Sequence, residues 1–182
     1  MTLSLNDSSP INLGRGEKNV VNLSRGGAKI IHVQKQIQNF HDQVGTSQTV
    51  EKLFVCVGTN DIRYCRNGVS HLRNHLKRLC SKIKEMFPKA KVFLQPVLPQ
   101  IAMVRSTINN ILQYNRMLHE LCISEKFFYL NIFQEFVDNR GFRINGLFDG
   151  PTSVHPNPRG MGRIARHYMN IIHETHFNPL IY

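Results

Sequence analysis

The run Lys52-Leu53-Phe54-Val55-Cys56-Val57, followed at once by Gly58-Thr59-Asn60-Asp61, constrains this chain more than any other segment. An apolar run with no alternation predicts a strand buried on both faces, as the central strand of a parallel sheet is. The glycine directly after it predicts a turn at the strand's carboxyl end, where α/β folds place their ligands. Beside this strand at Leu53–Val57, shorter runs predict others at Leu3–Leu5, Val20–Leu23, Val92–Val97 and Phe127–Ile132. Between the strands, apolar residues recur at helical spacing. After Gly27 they are Ile30, Val33, Ile37 and Phe40; from Leu72 they run through Leu76, Leu79, Ile83 and Met86 to a stop at Pro88. A third stripe holds Ile108, Ile111, Leu112, Leu118, Leu121 and Cys122, and a fourth Met161, Ile164, Ala165, Tyr168, Ile171 and Ile172. Alternating strands and helices predict the α/β class, as a three-layer αβα sandwich around a central, mostly parallel sheet. With no repeat and no linker-like stretch, residues 1–182 read as one domain.

Four short segments carry candidate chemistry. Gly58-Thr59-Asn60-Asp61 puts an amide donor at a strand's carboxyl end, though such a turn alone is equally a plain chain reversal. Ser24-Arg25-Gly26-Gly27-Ala28 lies between a strand and a helix; its glycines permit close backbone approach, and Ser24 alone reads as an ordinary helix cap. Val154-His155-Pro156-Asn157 precedes the last amphipathic segment, and Asn6-Asp7-Ser8 follows the first strand.

Together these segments resemble the SGNH, or GDSL-like, hydrolase superfamily, over about residues 3 to 175. The resemblance implies oxyanion donors at Asn60 and at the backbone N–H of Gly27, a general base at His155 and a nucleophile at Ser8. Two blocks depart from the family's pattern. Its D-x-x-H block puts an acid three residues before the histidine, and here that residue is Thr152. Asp149 lies six residues away and needs a rearranged loop to reach the imidazole. The G-D-S block is Asn6-Asp7-Ser8. In serine proteases, loss of the triad aspartate costs about 10⁴ in turnover. The expectation is therefore a non-enzyme with a vestigial set Ser8, Gly27, Asn60 and His155. A slow Ser–His esterase is the alternative.

Charge points to the surface. Twenty-three Lys and Arg against twelve Asp and Glu give a net charge of +11, which favours a polyanionic partner, although general solubility also fits. Arg159, Arg163, Arg166, Asn170 and His173 recur at helical spacing and predict one cationic ridge opposite the Ile164–Tyr168–Ile171 stripe. Arg25, Lys29, Arg63 and Arg66 lie near the presumed carboxyl end of the sheet, with Arg15 and Lys18 before them. Tyr64 offers a face for an unpaired base. RNA is the expected partner, through Arg25, Lys29, Arg63, Arg66, Arg159, Arg163 and Arg166. A protein-interaction module using the tail His176–Tyr182 is a further alternative.

Ser24–Lys29, Val57–Tyr64 and Asn157–Arg166 also resemble the OSK domains, a degenerate branch of the superfamily from an insect germ-plasm organiser. That likeness implies a non-enzymatic mRNA-binding role in oocyte cytoplasm, with germ-plasm proteins as further partners. No cofactor or metal is expected: Cys56, Cys65, Cys80 and Cys122 form no CxxC pair, and buried free thiols fit a reducing, intracellular compartment. The start MTLSLNDSSP lacks a charged region before an apolar run, and no apolar stretch is long enough to span a membrane.

Overall fold

The structure, a computed structural model, describes residues 2–6, 20–45, 49–63, 65, 68–100 and 105–173. Ser8, Arg15, Lys18, Tyr64, Arg66 and the tail His176–Tyr182 lie outside the described residues. Five strands form one sheet: β1 (Thr2–Asn6), β2 (Val20–Asn22), β3 (Lys52–Cys56), β4 (Lys91–Gln95) and β5 (Phe128–Tyr129), in the order β2-β1-β3-β4-β5. Every pairing in it is parallel, with Leu53 opposite Val92 and Phe54 opposite Phe93.

Alternation along the strands sorts the core into two layers. Leu53, Val55, Val92 and Leu94 face α1 (Ile30–Val44), α3 (Leu72–Met86) and α4 (Arg105–Glu125). Phe54 and Phe93 face the other way, toward α5 (Pro158–His173) and two 3-10 turns at Phe133–Phe136 and Asn145–Leu147. On that side Phe128, Phe93 and Phe54 stack in a row at 4.9 and 5.0 Å, and Tyr168 closes it at 4.4 Å from Phe54. The buried Tyr168 hydroxyl donates to Gln95 Oε1 at 2.9 Å, so the apolar layer carries no orphaned phenol.

The strands β3 and β4 stop short of the Val57 and Val97 ends that their hydropathy predicts. Tyr114 donates its hydroxyl to the Val57 carbonyl at 2.8 Å, and Asn115 exchanges two 2.9 Å hydrogen bonds with Val97. Side chains of α4 therefore take the backbone groups that a longer ladder would use. Ile108 and Leu112, expected in the apolar stripe of that helix, are 46% and 50% exposed. At 100° per residue they fall on the flank of the face that buries Ile111, Tyr114, Leu118 and Leu121.

The placement of α5 decides where the last loop of the chain meets the sheet. Lys52, at the start of β3, donates its ammonium to the carbonyls of Ile171 and Ile172 at 2.7 and 2.8 Å, capping the helix's last turn. Sixteen residues of helix run about 24 Å, whereas the five residues of β3 run about 17 Å. With its last turn fixed at the amino edge of the sheet and Tyr168 on Phe54, α5 runs against the strand direction. Its first turn overhangs the strands' carboxyl ends by several ångströms.

Candidate active site

Three loops carry the candidate residues. The loop after β2 carries Gly27, whose φ of +73° favours glycine; a Cβ built there meets nothing within 4 Å, so conformation rather than close approach demands the residue. Ser24 does not cap α1: its backbone N–H donates to Asn22 Oδ1 at 2.9 Å instead. The cap comes from the Gly-Thr-Asn-Asp turn, where Asp61 Oδ2 accepts the Ile30 N–H at 3.1 Å. Burial pushes the Asp61 carboxyl up from its ordinary value, while the Ile30 N–H and the Lys29 charge pull it down.

Asn60 stands beside Asp61 in the short helix α2 (Thr59–Arg63) and donates Nδ2 to the Ala28 carbonyl at 3.0 Å. Two adjacent side chains thus bind the Gly27 loop to the Asn60 turn. The two expected oxyanion donors belong to one rigid unit, a requirement for charge stabilisation without reorganisation.

The third loop carries His155, which is exposed and immediately precedes α5. Its backbone N–H donates to Ser153 Oγ at 3.0 Å. Behind it, Asn157 joins six hydrogen bonds, one of them from the Met161 N–H to its carbonyl at 2.8 Å. Its Oδ1 accepts the N–H groups of Arg159 and Gly160, its Nδ2 donates to the Gly146 and Phe148 carbonyls, and its own N–H donates to Leu147. The sequence carries no signal for this beyond an Asn one residue before Pro158. Asn157→Ala is expected to lower unfolding stability by about 3 kcal/mol, summing a lost cap and two stranded carbonyls. Denaturant unfolding measures it, and a loss below about 1 kcal/mol removes this role.

Asp149 and His155, six residues apart in sequence, are joined through their backbones. The Asp149 N–H donates to the His155 carbonyl at 3.0 Å, the Asn157 N–H donates to Leu147 at 3.0 Å, and Phe148 pairs antiparallel with Pro156 between them. Buried Phe148 marks the inward side of this pairing, so exposed Asp149 and His155 share the outward one. Residues paired this way carry Cβ atoms about 5 Å apart. No ion pair joins the two side chains among the described residues. Thr152 sits exposed at the tip of the loop between them.

Each loop also carries an exposed arginine: Arg25 beside Gly27, Arg63 at the end of α2, and Arg159 in the first turn of α5. Lys29 is half-buried near Asp61. The ridge on α5 is less uniform than its spacing predicts. Arg166 is exposed, but Arg163 is half-buried and donates to the Glu135 carbonyl, while His167 contacts the Glu135 carboxylate. On the α3 face Arg73 pairs with Glu120 and Lys84 with Glu125. Among the described residues no cluster of three or more His, Cys, Asp or Glu side chains is placed to hold a metal ion. Cys56, Cys80 and Cys122 are buried free thiols and Cys65 is half-buried.

These loops at the end of a parallel sheet define a hydrolase scaffold, and the chain belongs to the GDSL-like lipase/acylhydrolase family, whose model matches residues 10–163. No curated protein matches the chain by sequence. Among solved structures it is similar to a putative platelet activating factor protein from Streptococcus pneumonia, at 19% identity and a TM-score of 0.77, covering 94% of this chain and 83% of that one. A GDSL-like lipase from Bacteroides thetaiotaomicron matches at 15% identity and a TM-score of 0.73, over 94% and 86% of the two chains. The OSK domain of Drosophila Oskar matches at 15% identity and a TM-score of 0.71, over 94% and 88%. The fold resemblance to the OSK domain thus stands together with one to lipases. The expectation of a non-enzyme is corrected. The family is one of lipases and acylhydrolases, and many of the solved structures that share this fold are lipases or esterases. No described helix is long and apolar enough to cross a membrane.

Proposed function

We propose that this chain is a serine-type ester hydrolase acting on acyl esters. What supports the reading is the backbone hydrogen bond from the Asp149 N–H to the His155 carbonyl, which puts the two residues opposite each other despite a spacing three residues longer than the family's. Ser8, two residues after β1 ends at Asn6, is the nucleophile in this reading. His155 takes the Ser8 hydroxyl proton as the oxygen adds to the acyl carbonyl, and Asp149 balances the imidazolium that forms. Asn60 Nδ2 and the Gly27 N–H stabilise the oxyanion, one such donor being worth about 10²–10³ in turnover. His155 then protonates the departing alkoxide, and water, deprotonated by the same histidine, releases the acid and restores Ser8. Purified protein given a panel of short acyl esters tests this, and failure to turn over any of them overturns it.

A second reading, RNA binding, is favoured by exposed Arg25, Arg63, Arg159 and Arg166, which make no ion pair among the described residues of a chain carrying +11. Arg25, Arg63 and Arg159 stand on the same three loops as the candidate catalytic residues, so RNA bound there would lie over the hydrolytic site. Location in oocyte germ plasm, which the OSK likeness implies, belongs to this reading. Fluorescence anisotropy with single-stranded RNA is expected to show affinity falling steeply with salt. Joint substitution R25E, R63E and R159E is expected to weaken binding at least about tenfold and to lower the salt slope by about 3. Unchanged binding in that variant takes these residues out of the RNA surface.

A further inference from the structure

Arg143 has a placement that neither reading uses. It stands on the hairpin between the two 3-10 turns, where it pairs with Val137 across a turn held by Asp138 Oδ1, which accepts the Arg140 and Phe142 N–H groups at 2.9 Å each. Its guanidinium lies 3.6 Å from the centroid of the Phe148 ring, and its Nη2 donates to the Gly150 carbonyl at 3.3 Å. One side chain therefore grips the residues on either side of Asp149. Its Nε and Nη1 are shielded from solvent and meet no acceptor among the described residues, so hydrogen bonding alone does not account for where the group sits. The stack on Phe148 does: a planar, weakly hydrated cation suits an aromatic face as an ammonium does not.

Phe148 is itself fixed. It is buried, meets Phe136 edge-on at 5.6 Å, and pairs with Pro156. Gly150 lies at the opposite end of the grip, at a φ of +99°, where the chain departs into the lengthened loop. Released by Arg143, Asp149 would keep the bond from its own N–H to His155 and the turn bond from the Gly150 N–H to the Phe148 carbonyl at 2.8 Å, without the side chain that ties Gly150 to the Phe148 ring.

We infer that Arg143 is a positioning residue, clamping Phe148 and Gly150 so that Asp149 stays opposite His155. Its consequence for turnover rests on the ester-hydrolase reading; the clamp itself does not. Amide hydrogen exchange reads the clamp directly at the Asp149 N–H, whose acceptor is the His155 carbonyl. In Arg143→Met this amide is expected to exchange at least about tenfold faster, while the core amides of Val55 and Leu94 keep their rates. Arg143→Lys, which keeps the charge but loses the planar stack, is expected to fall between; it also serves if the Met variant does not fold. On an acyl ester, kcat is expected to fall about tenfold with KM within about twofold, the split that separates positioning from substrate binding. An Asp149 exchange rate unchanged in both variants overturns the clamp. Faster exchange in a protein that turns over no ester leaves the clamp standing and removes the hydrolase reading alone.

Discussion

His155→Ala is expected to reduce kcat/KM on an acyl ester by about 10³-fold or more while leaving the unfolding midpoint in place. Both halves follow from position. The imidazole is exposed and has no packing role, whereas its backbone N–H and carbonyl, which hold the loop, survive the substitution. Asp149→Asn is the companion variant, and a loss of about 10²–10⁴-fold is expected, because the neutral amide cannot balance an imidazolium. Thr152→Val is expected to change turnover less than about threefold, since its side chain is at an exposed loop tip. If Thr152→Val costs as much as Asp149→Asn, the acid is not where the backbone pairing puts it. If His155→Ala retains turnover, the base lies elsewhere altogether.

The second large effect is on stability. Gly58→Ala is expected to cost about 4 kcal/mol, a large share of the roughly 5–15 kcal/mol that holds a domain folded. The residue sits at a φ of +118°, and a Cβ there would lie 2.3 Å from the ring of Tyr114. That ring is fully buried and its hydroxyl is bonded to Val57, so it has nowhere to withdraw. Backbone strain and overpacking each contribute about 1–3 kcal/mol. Tyr114→Phe separates the terms: removing the hydroxyl gives up the Val57 bond and is expected to cost only about 1 kcal/mol. Thermal or denaturant unfolding of Gly58→Ala within about 1 kcal/mol of the parent sinks this account of why a glycine stands there.

The parts of the fold that are legible in the sequence are those written in local pattern. The apolar run to Val57, the stripe from Leu72 to Met86 and that from Ile164 to Ile172 declare a buried strand and two amphipathic helices on periodicity alone. What escapes depends on contacts between distant residues. Asp61 caps α1 from 31 positions away, and nothing near Ile30 announces it. Arg163 stands in the right helical position for a cationic ridge, yet Glu135 comes to it from another element. The Asp149–His155 pairing escapes for a related reason: six residues separate the two along the chain, whereas a backbone hydrogen bond closes that loop. The nucleophile block carries the least pattern, and its Ser8 lies outside the described residues.

Lys52 and Tyr168 anchor the rear of α5 to the sheet, and Asn157 and buried Gly160 seat its front on the turn at Asn145–Leu147. Residues Gly150 to Val154 can therefore lengthen or shorten without disturbing a single strand, provided that Asn157 still seats the helix and Asp149 still meets His155. Loop length here is a variable that the scaffold leaves open, and catalytic geometry is regained afterwards by a few hydrogen bonds.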